Sequence, residues 1–226
     1  MIGGTGWISS AAYYRLINEG INSRLGGEEF ARCILFSLNS GEIKRLFQDH
    51  NEEGVYRMFE TAAIRLVESG AEVLAICSNT GHIYYDRLIR AVNVPIVHIA
   101  TATAMAILEK NIHKVGLMGT QKTMESVFYQ GILEKSGITT IVPDMEERIF
   151  INEIIFSELF HEVFKESSRK RFIDIMQRLV SLGAEGIVLG CTEIPLLIRQ
   201  SHTQIPLFDT LEIHANAIVN SAIEKE

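Results

Sequence analysis

The sequence predicts an α/β protein: two pseudo-symmetric α/β domains with mainly parallel sheets, and the site in the cleft between them. Three observations predict this. Short, fully apolar runs alternate with stretches of helical period, as expected of parallel strands covered by helices. The chain also repeats itself. Arg65-Leu66-Val67 and, two residues on, Gly70-Ala71-Glu72 are matched by Arg178-Leu179-Val180 and Gly183-Ala184-Glu185, half of the 226 residues away. Carried forward, that match sets Ser78 opposite Cys191. With a gap of two, it sets Val94-Pro95-Ile96 opposite Ile205-Pro206-Leu207. Such self-similarity is a fold-level signal. Finally, both copies of the apolar run stop at short polar side chains, at the strand end where open α/β sheets hold their ligands.

Gly3-Gly4-Thr5-Gly6-Trp7 reads as a strand-to-helix turn, with Ser9 or Ser10 capping a helix to about Leu25. Such a turn suits close backbone approach to an anion, although a plain tight turn explains it equally well. Cys33-Ile34-Leu35-Phe36 reads as a short buried strand closed by Asn39-Ser40-Gly41. Residues 52–68 carry Phe59, Ala63, Leu66 and Val67 on one helical face, and Gly70 is placed to end that helix. Val73–Ile76 is the next strand, followed by a helix to about Ala91 and a strand at Ile96–His98. Residues 101–110 give a helix and Val115–Met118 a strand ending in Gly119-Thr120, with a helix beginning at Thr123. Ile138–Val142 is a strand, and Pro143-Asp144 opens a long helical region. Phe172, Ile175, Met176, Leu179 and Val180 make a further amphipathic face. A strand at Ile187–Gly190, one at Pro206–Phe208 and a last helix from Thr210 complete the chain. If the final strand and helix return to the first unit, the domains are 1–98 plus 207–226, and 99–206.

Composition narrows the function. A net charge of −7 and the lack of a basic stripe argue against nucleic acid. No apolar run reaches the roughly 18 residues of a membrane span. An anionic substrate would have to be held by local donors such as helix N-termini. Cys33, Cys77 and Cys191 are widely spaced and form no Cys/His cluster, so the sequence predicts no metal site and reduced thiols in a cytoplasmic compartment.

Cys191 stands where an apolar run ends and a helix begins, and a helix N-terminus lowers a thiol's pKa. Cys77 and Cys33, within strands, read as packing residues. Ser78 presents a hydroxyl at the place equivalent to Cys191. Thr5, Asn79, Thr80, Thr120, Thr123 and Thr192 are short polar donors at strand ends. Each alone reads as a cap or turn residue, but together they make a neutral cradle for a small carboxylate. His82 reads as a satisfied histidine, and Glu193 as a first-turn acid favoured by the helix dipole.

Gly3-Gly4-Thr5, Cys77-Ser78-Asn79-Thr80-Gly81-His82 and Leu189-Gly190-Cys191-Thr192-Glu193-Ile194 resemble the three motifs of the aspartate/glutamate racemase family. The likeness runs on through Gly119-Thr120 and Phe208-Asp209 and covers essentially the whole chain. It implies a racemase without pyridoxal phosphate or other cofactor, acting on an acidic amino acid. In the family, two cysteines face each other across a cleft; one removes the α-proton and the other returns a proton to the opposite face. Here the first of these is Ser78, in company with a subset of the family that carries threonine. Cys77 lies one residue earlier, where strand alternation turns it away. The resemblance therefore implies Cys191 as base on the L-face and Ser78 as a weak donor on the other, with L-substrates preferred. It implies Thr5, Asn79, Thr80, Thr120, Thr123, Thr192 and Glu193 as substrate-binding, and a homodimer. Lys44 or Arg45 would stand in for an arginine that holds the side-chain carboxylate in some relatives; Lys165 is the nearest candidate for their lysine. The alternatives are a single-thiol decarboxylase or isomerase on the same scaffold, and a non-catalytic dicarboxylate-binding protein.

Overall fold

The computed structural model describes residues 1–223. The chain divides into two compact units, one formed by Met1–His98 with the segment from His214 on, the other by Ile99–Ile213. In the first, β1 (Ile2–Gly3) pairs in parallel with β2 (Phe36–Ser37), and β3 (Leu74–Ala75) with β4 (Ile96–Val97). A parallel bridge between Ile2 and Ile76 joins the pairs, with the Cys77 N–H donating to the Ile2 carbonyl at 2.8 Å. The strand order is therefore β2-β1-β3-β4. In the second unit, β5 (Lys114–Gly119), β6 (Thr139–Ile141), β7 (Gly186–Gly190) and β8 (Leu207–Asp209) form one parallel sheet in the order β6-β5-β7-β8. The two orders are the same, second-first-third-fourth. Register agrees too: Ala75 pairs with Val97 as Val188 pairs with Phe208, which is the alignment with a gap of two read from the sequence.

The expected division gave residues 207–226 to the first unit. β8 instead pairs with β7, because the repeat places it as the fourth strand of the second sheet. Only the chain beyond Ile213 joins the first unit.

Helices cover the strands where the apolar periodicity places them. In the first unit these are α1 (Trp7–Leu25), α2 (Ser40–Gln48), α3 (Glu52–Glu68) and α4 (Tyr85–Ala91). In the second they are α5 (Ile99–Leu108), α6 (Gln121–Glu125), α7 (Val127–Lys135), α8 (Met145–Ser157), α9 (Glu166–Ser181) and α10 (Ile194–Leu197). The last helix, α11 (Thr210–Ile223), starts at the end of β8 and runs into the first unit. α3 has the expected bounds: Asn51 accepts from the Gly54 N–H at 2.8 Å, and Gly70 at φ 88° takes the left-handed conformation that glycine tolerates. Phe59, Ala62, Ala63 and Leu66 line its buried face. β7 alternates as a two-sided strand should: Ile187 and Leu189 pack toward α8 and α9, and Val188 packs toward α5 and α7.

Three local expectations fail. α1 is capped by Gly6, not by Ser9 or Ser10, which lie inside its first turn. The Ser10 hydroxyl faces back and accepts from the Gly4 N–H at 2.8 Å, which ties the turn to its helix. The second strand is Phe36–Ser37; Cys33 precedes it, half-buried, while Ile34 and Leu35 are exposed. Asn39-Ser40-Gly41 opens α2 rather than closing a strand, since the Asn39 side chain accepts from the Glu42 N–H.

Candidate functional site: two strand-end loops

The first loop follows β3. Ser78 is half-buried and Asn79 buried. Ser78 shares the parity of Leu74 and Ile76, whose side chains join the core under α3, while Cys77 is wholly buried on the other side. Burial pushes the Cys77 thiol up to about 12, so it stays protonated. The Ser78 Oγ accepts from the Gly81 N–H at 3.2 Å, opening a short 3-10 turn at Thr80–Tyr84. A Cβ at Gly81 would fall 2.7 Å from that oxygen, so a larger residue there would push against the Ser78 side chain. The Ser78 carbonyl accepts from His82 Nδ1 at 2.8 Å. Thr80 is half-buried in the turn.

His82, His98 and His214 are buried together, with ring centroids 4.8 Å apart for His82 and His98, and 5.4 Å for His82 and His214. Burial is the leading cause that pushes their pKa values down, to about 3, 4 and 3 in that order; the neighbouring imidazole adds to each. All three are neutral near pH 7. Thr5 is half-buried between β1 and α1. Gly4 beside it has φ 86°, and a Cβ there would sit 2.0 Å from the Leu38 carbonyl oxygen.

The second loop follows β7. Cys191, Thr192 and Glu193 are all buried. The Cys191 thiol donates to Glu193 Oε2 at 3.0 Å, and the Thr192 hydroxyl donates to the same oxygen at 2.8 Å. Burial, then the Glu193 charge, drives the thiol pKa well above its ordinary value; the backbone N–H groups of Glu193 and Ile194 oppose the rise. The sequence predicts a lowered pKa from a helix N-terminus. The helix that follows, α10, has only four residues, and a carboxylate stands at the sulfur instead. Glu193 is therefore the thiol's partner, a role its motif position did not reveal.

The neighbouring loops add hydroxyls. Thr120 caps α6, accepting from the Thr123 N–H at 3.3 Å, and its hydroxyl lies 3.0 Å from that of the buried Thr123. The helix begins at Gln121 rather than Thr123. Asp209, at the end of β8, accepts from the N–H groups of Leu211 and Glu212, and burial raises its pKa to about 6. Lys44 and Arg45 lie exposed on α2. Lys165 donates to Glu158 Oε1 at 2.8 Å, so its charge is already matched. Among the described residues, no group of three His, Cys, Asp or Glu side chains is placed to hold a metal ion. No described helix is long and apolar enough to cross a membrane.

A duplicated four-stranded parallel α/β unit, with a polar loop after the third strand of each copy, defines a class of two-domain α/β proteins. The comparisons specify it further: residues 2–218 match the Asp/Glu/hydantoin racemase family, and the chain belongs to it. Its fold is similar to a candidate Asp/Glu racemase from Yersinia pestis, at 41% identity and TM-score 0.91 over 98% of this chain and 97% of that one. It is also similar to an aspartate racemase homologue from Pyrococcus horikoshii OT3, at 36% identity and TM-score 0.85 over 98% and 97%. A broad specificity amino-acid racemase of Bacillus subtilis (strain 168) is 25% identical over 176 residues, 76% of this chain and 74% of that one. The chain is thus an amino-acid racemase of the isomerase class by family and neighbours.

Proposed function

We propose that the chain racemises aspartate, glutamate or both by moving the α-proton, with Cys191 serving the L-face and Ser78 the opposite face. The observation that supports this most is the Cys191 thiol seated on the Glu193 carboxylate at 3.0 Å. A thiol with a raised pKa is a poor base as it stands. Paired with a carboxylate, it becomes one: the sulfur's own proton passes to Glu193 Oε2 as the α-proton moves to sulfur. The Glu193 and Ile194 N–H groups favour the transient thiolate. The C–H electron pair stays on the substrate as an enediolate, and the Ser78 hydroxyl gives its proton to the other face. Solvent returns a proton to the serine and takes the one held by Glu193, so both side chains are reset and no electrons are exchanged.

Ser78 has no such carboxylate partner in its loop; its hydroxyl accepts from Gly81 and its carbonyl is held by His82. Proton delivery from that side is therefore the slow step, and removal of a proton by that side slower still. Thr5, Asn79, Thr80, Thr120, Thr123 and Thr192 supply the polar cradle for the substrate's carboxylates and ammonium group. Neither a cofactor nor a metal takes part in this scheme, and the active form is a homodimer.

The test is α-proton exchange in heavy water. L-aspartate or L-glutamate exchanges faster than the D form, while the racemic end point stays at unity. Equal exchange of both forms removes the assigned asymmetry. Ser78→Cys raises D-substrate turnover about tenfold or more, because a thiol is a far better acid and base than an alcohol near neutral pH.

A further inference from the structure

The buried histidine cluster behind the Ser78 loop has no part in the proton transfers above. His82 is 2% exposed, and its Nδ1 sits 2.8 Å from the Ser78 carbonyl oxygen. A carbonyl only accepts, so this bond forms in the tautomer with the hydrogen on Nδ1; the backbone of Val97 and of Asn79 also lies within hydrogen-bonding reach of the ring. The ring is braced on two sides. One side is His98, itself edge-on to Tyr85 at 4.4 Å between ring centres. The other is His214, whose orientation is fixed at both nitrogens: Nδ1 accepts from the Tyr13 hydroxyl at 2.8 Å and Nε2 donates to the Val97 carbonyl at 2.9 Å. All three histidines of the brace are buried and neutral near pH 7.

We propose that His82 is the positioning residue for Ser78. Its Nδ1–H holds the Ser78 peptide plane, and the Gly81 N–H holds the hydroxyl, so both oxygens of this residue are oriented by one turn. His82 acts through Ser78 and touches no substrate. The inference rests on the assignment of Ser78 as donor. The aligned place in the second loop is Pro195, and that loop is fixed by Glu193 instead. The influence of His82 is therefore one-sided: it governs delivery on the Ser78 face and leaves removal by Cys191 alone.

The test uses the full chain with His82→Ala, His82→Asn and His82→Gln. An asparagine amide nitrogen reaches the place of Nδ1, and a glutamine amide reaches that of Nε2. His82→Ala and His82→Gln slow formation of deuterated D-product from L-substrate by about tenfold to a hundredfold, the scale of a misplaced catalytic group. Exchange that returns the L form stays within about twofold in these variants, and His82→Asn recovers most of the loss. The nitrogen-15 spectrum of the parent shows His82 neutral with its hydrogen on Nδ1. A hydrogen on Nε2, or an equal loss on both faces in the alanine and asparagine variants, overturns the proposal. Ser78→Ala separates the two levels. If Ser78→Ala racemises like the parent, the donor assignment falls, and the role of His82 with it. If Ser78→Ala is slow and His82→Ala is not, only the role of His82 falls.

Discussion

The loop after β3 and the loop after β7 occupy the same place in two copies of one sheet, but they hold their central side chain by opposite means. Around Ser78, the grip is on side chain and backbone together and comes from neutral groups: an amide on the hydroxyl and an imidazole on the carbonyl. Around Cys191, the grip is on the side chain and comes from a charge, with the thiol and the Thr192 hydroxyl converging on one carboxylate oxygen. The first arrangement fixes a direction and brings no charge to the hydroxyl. The second ties the acidity of sulfur to a neighbour two residues along the chain. A duplicated scaffold thus keeps its geometry while its two loops diverge in electrostatics.

The sharpest way to break this contrast is to remove the sulfur. Cys191→Ala abolishes both L-exchange and racemisation, a loss of about a thousandfold or more. Residual L-exchange near the parent rate shows that the base lies elsewhere. Glu193→Gln tests the charge alone. It removes the acceptor and the field that raises the thiol pKa, so racemisation falls about tenfold to a hundredfold. At the same time the pH profile of Cys191 alkylation moves to lower pH. If both quantities are unchanged, the carboxylate is a bystander.

Acid sharpens the comparison between the units. His82, His98 and His214 have folded pKa values below the unfolded value of about 6.5, so the unfolded chain binds more protons as pH falls. Their contribution is full above that value and is lost progressively below it, by about 2 kcal/mol per imidazole at pH 5. Asp209 runs the other way. Its folded pKa of about 6 exceeds the unfolded value, so protonation between about 6 and 4 stabilises the second unit. Between pH 7 and 5, amide protection corrected for the intrinsic exchange rate therefore falls in the sheet of β1 to β4 before that of β5 to β8. Uniform loss of protection contradicts the assignment. The smallest effect is that of Asp209→Asn, which keeps the cap on α11, gains up to about 3 kcal/mol near pH 7 and flattens the acid dependence of the second unit. Thermal unfolding across that range checks it.

Much of this was legible in the residues. The apolar runs at 73–76 and 187–190 read as strands, and the repeat of the sequence aligns them. The gap of two before Ile205 is matched in the strand register. What was hidden depended on contacts distant in sequence, or on one signal with two meanings. Asn39-Ser40-Gly41 is a good turn and an equally good helix start, and only the bond from the Glu42 N–H decides. That β8 completes the second sheet follows from its pairing with β7. The fate of Cys191 turned on where a carboxylate two residues away would point. His82 looked like any packed histidine because its partners, His98 and His214, come from two other segments.

The duplication also fixes the timing of assembly. The buried hydroxyl of Tyr13 on α1 finds its acceptor on α11, and Gly20 on α1 leaves room for Val219 of that same helix. In the second unit the counterpart hydroxyl of Tyr129 finds Thr103 on α5, which follows β4. Each half thus borrows its closing helix from beyond the other half's last strand. A ribosome making this chain releases four strands of the earlier sheet long before the segment that seals it, so the portion synthesised first is the portion finished last.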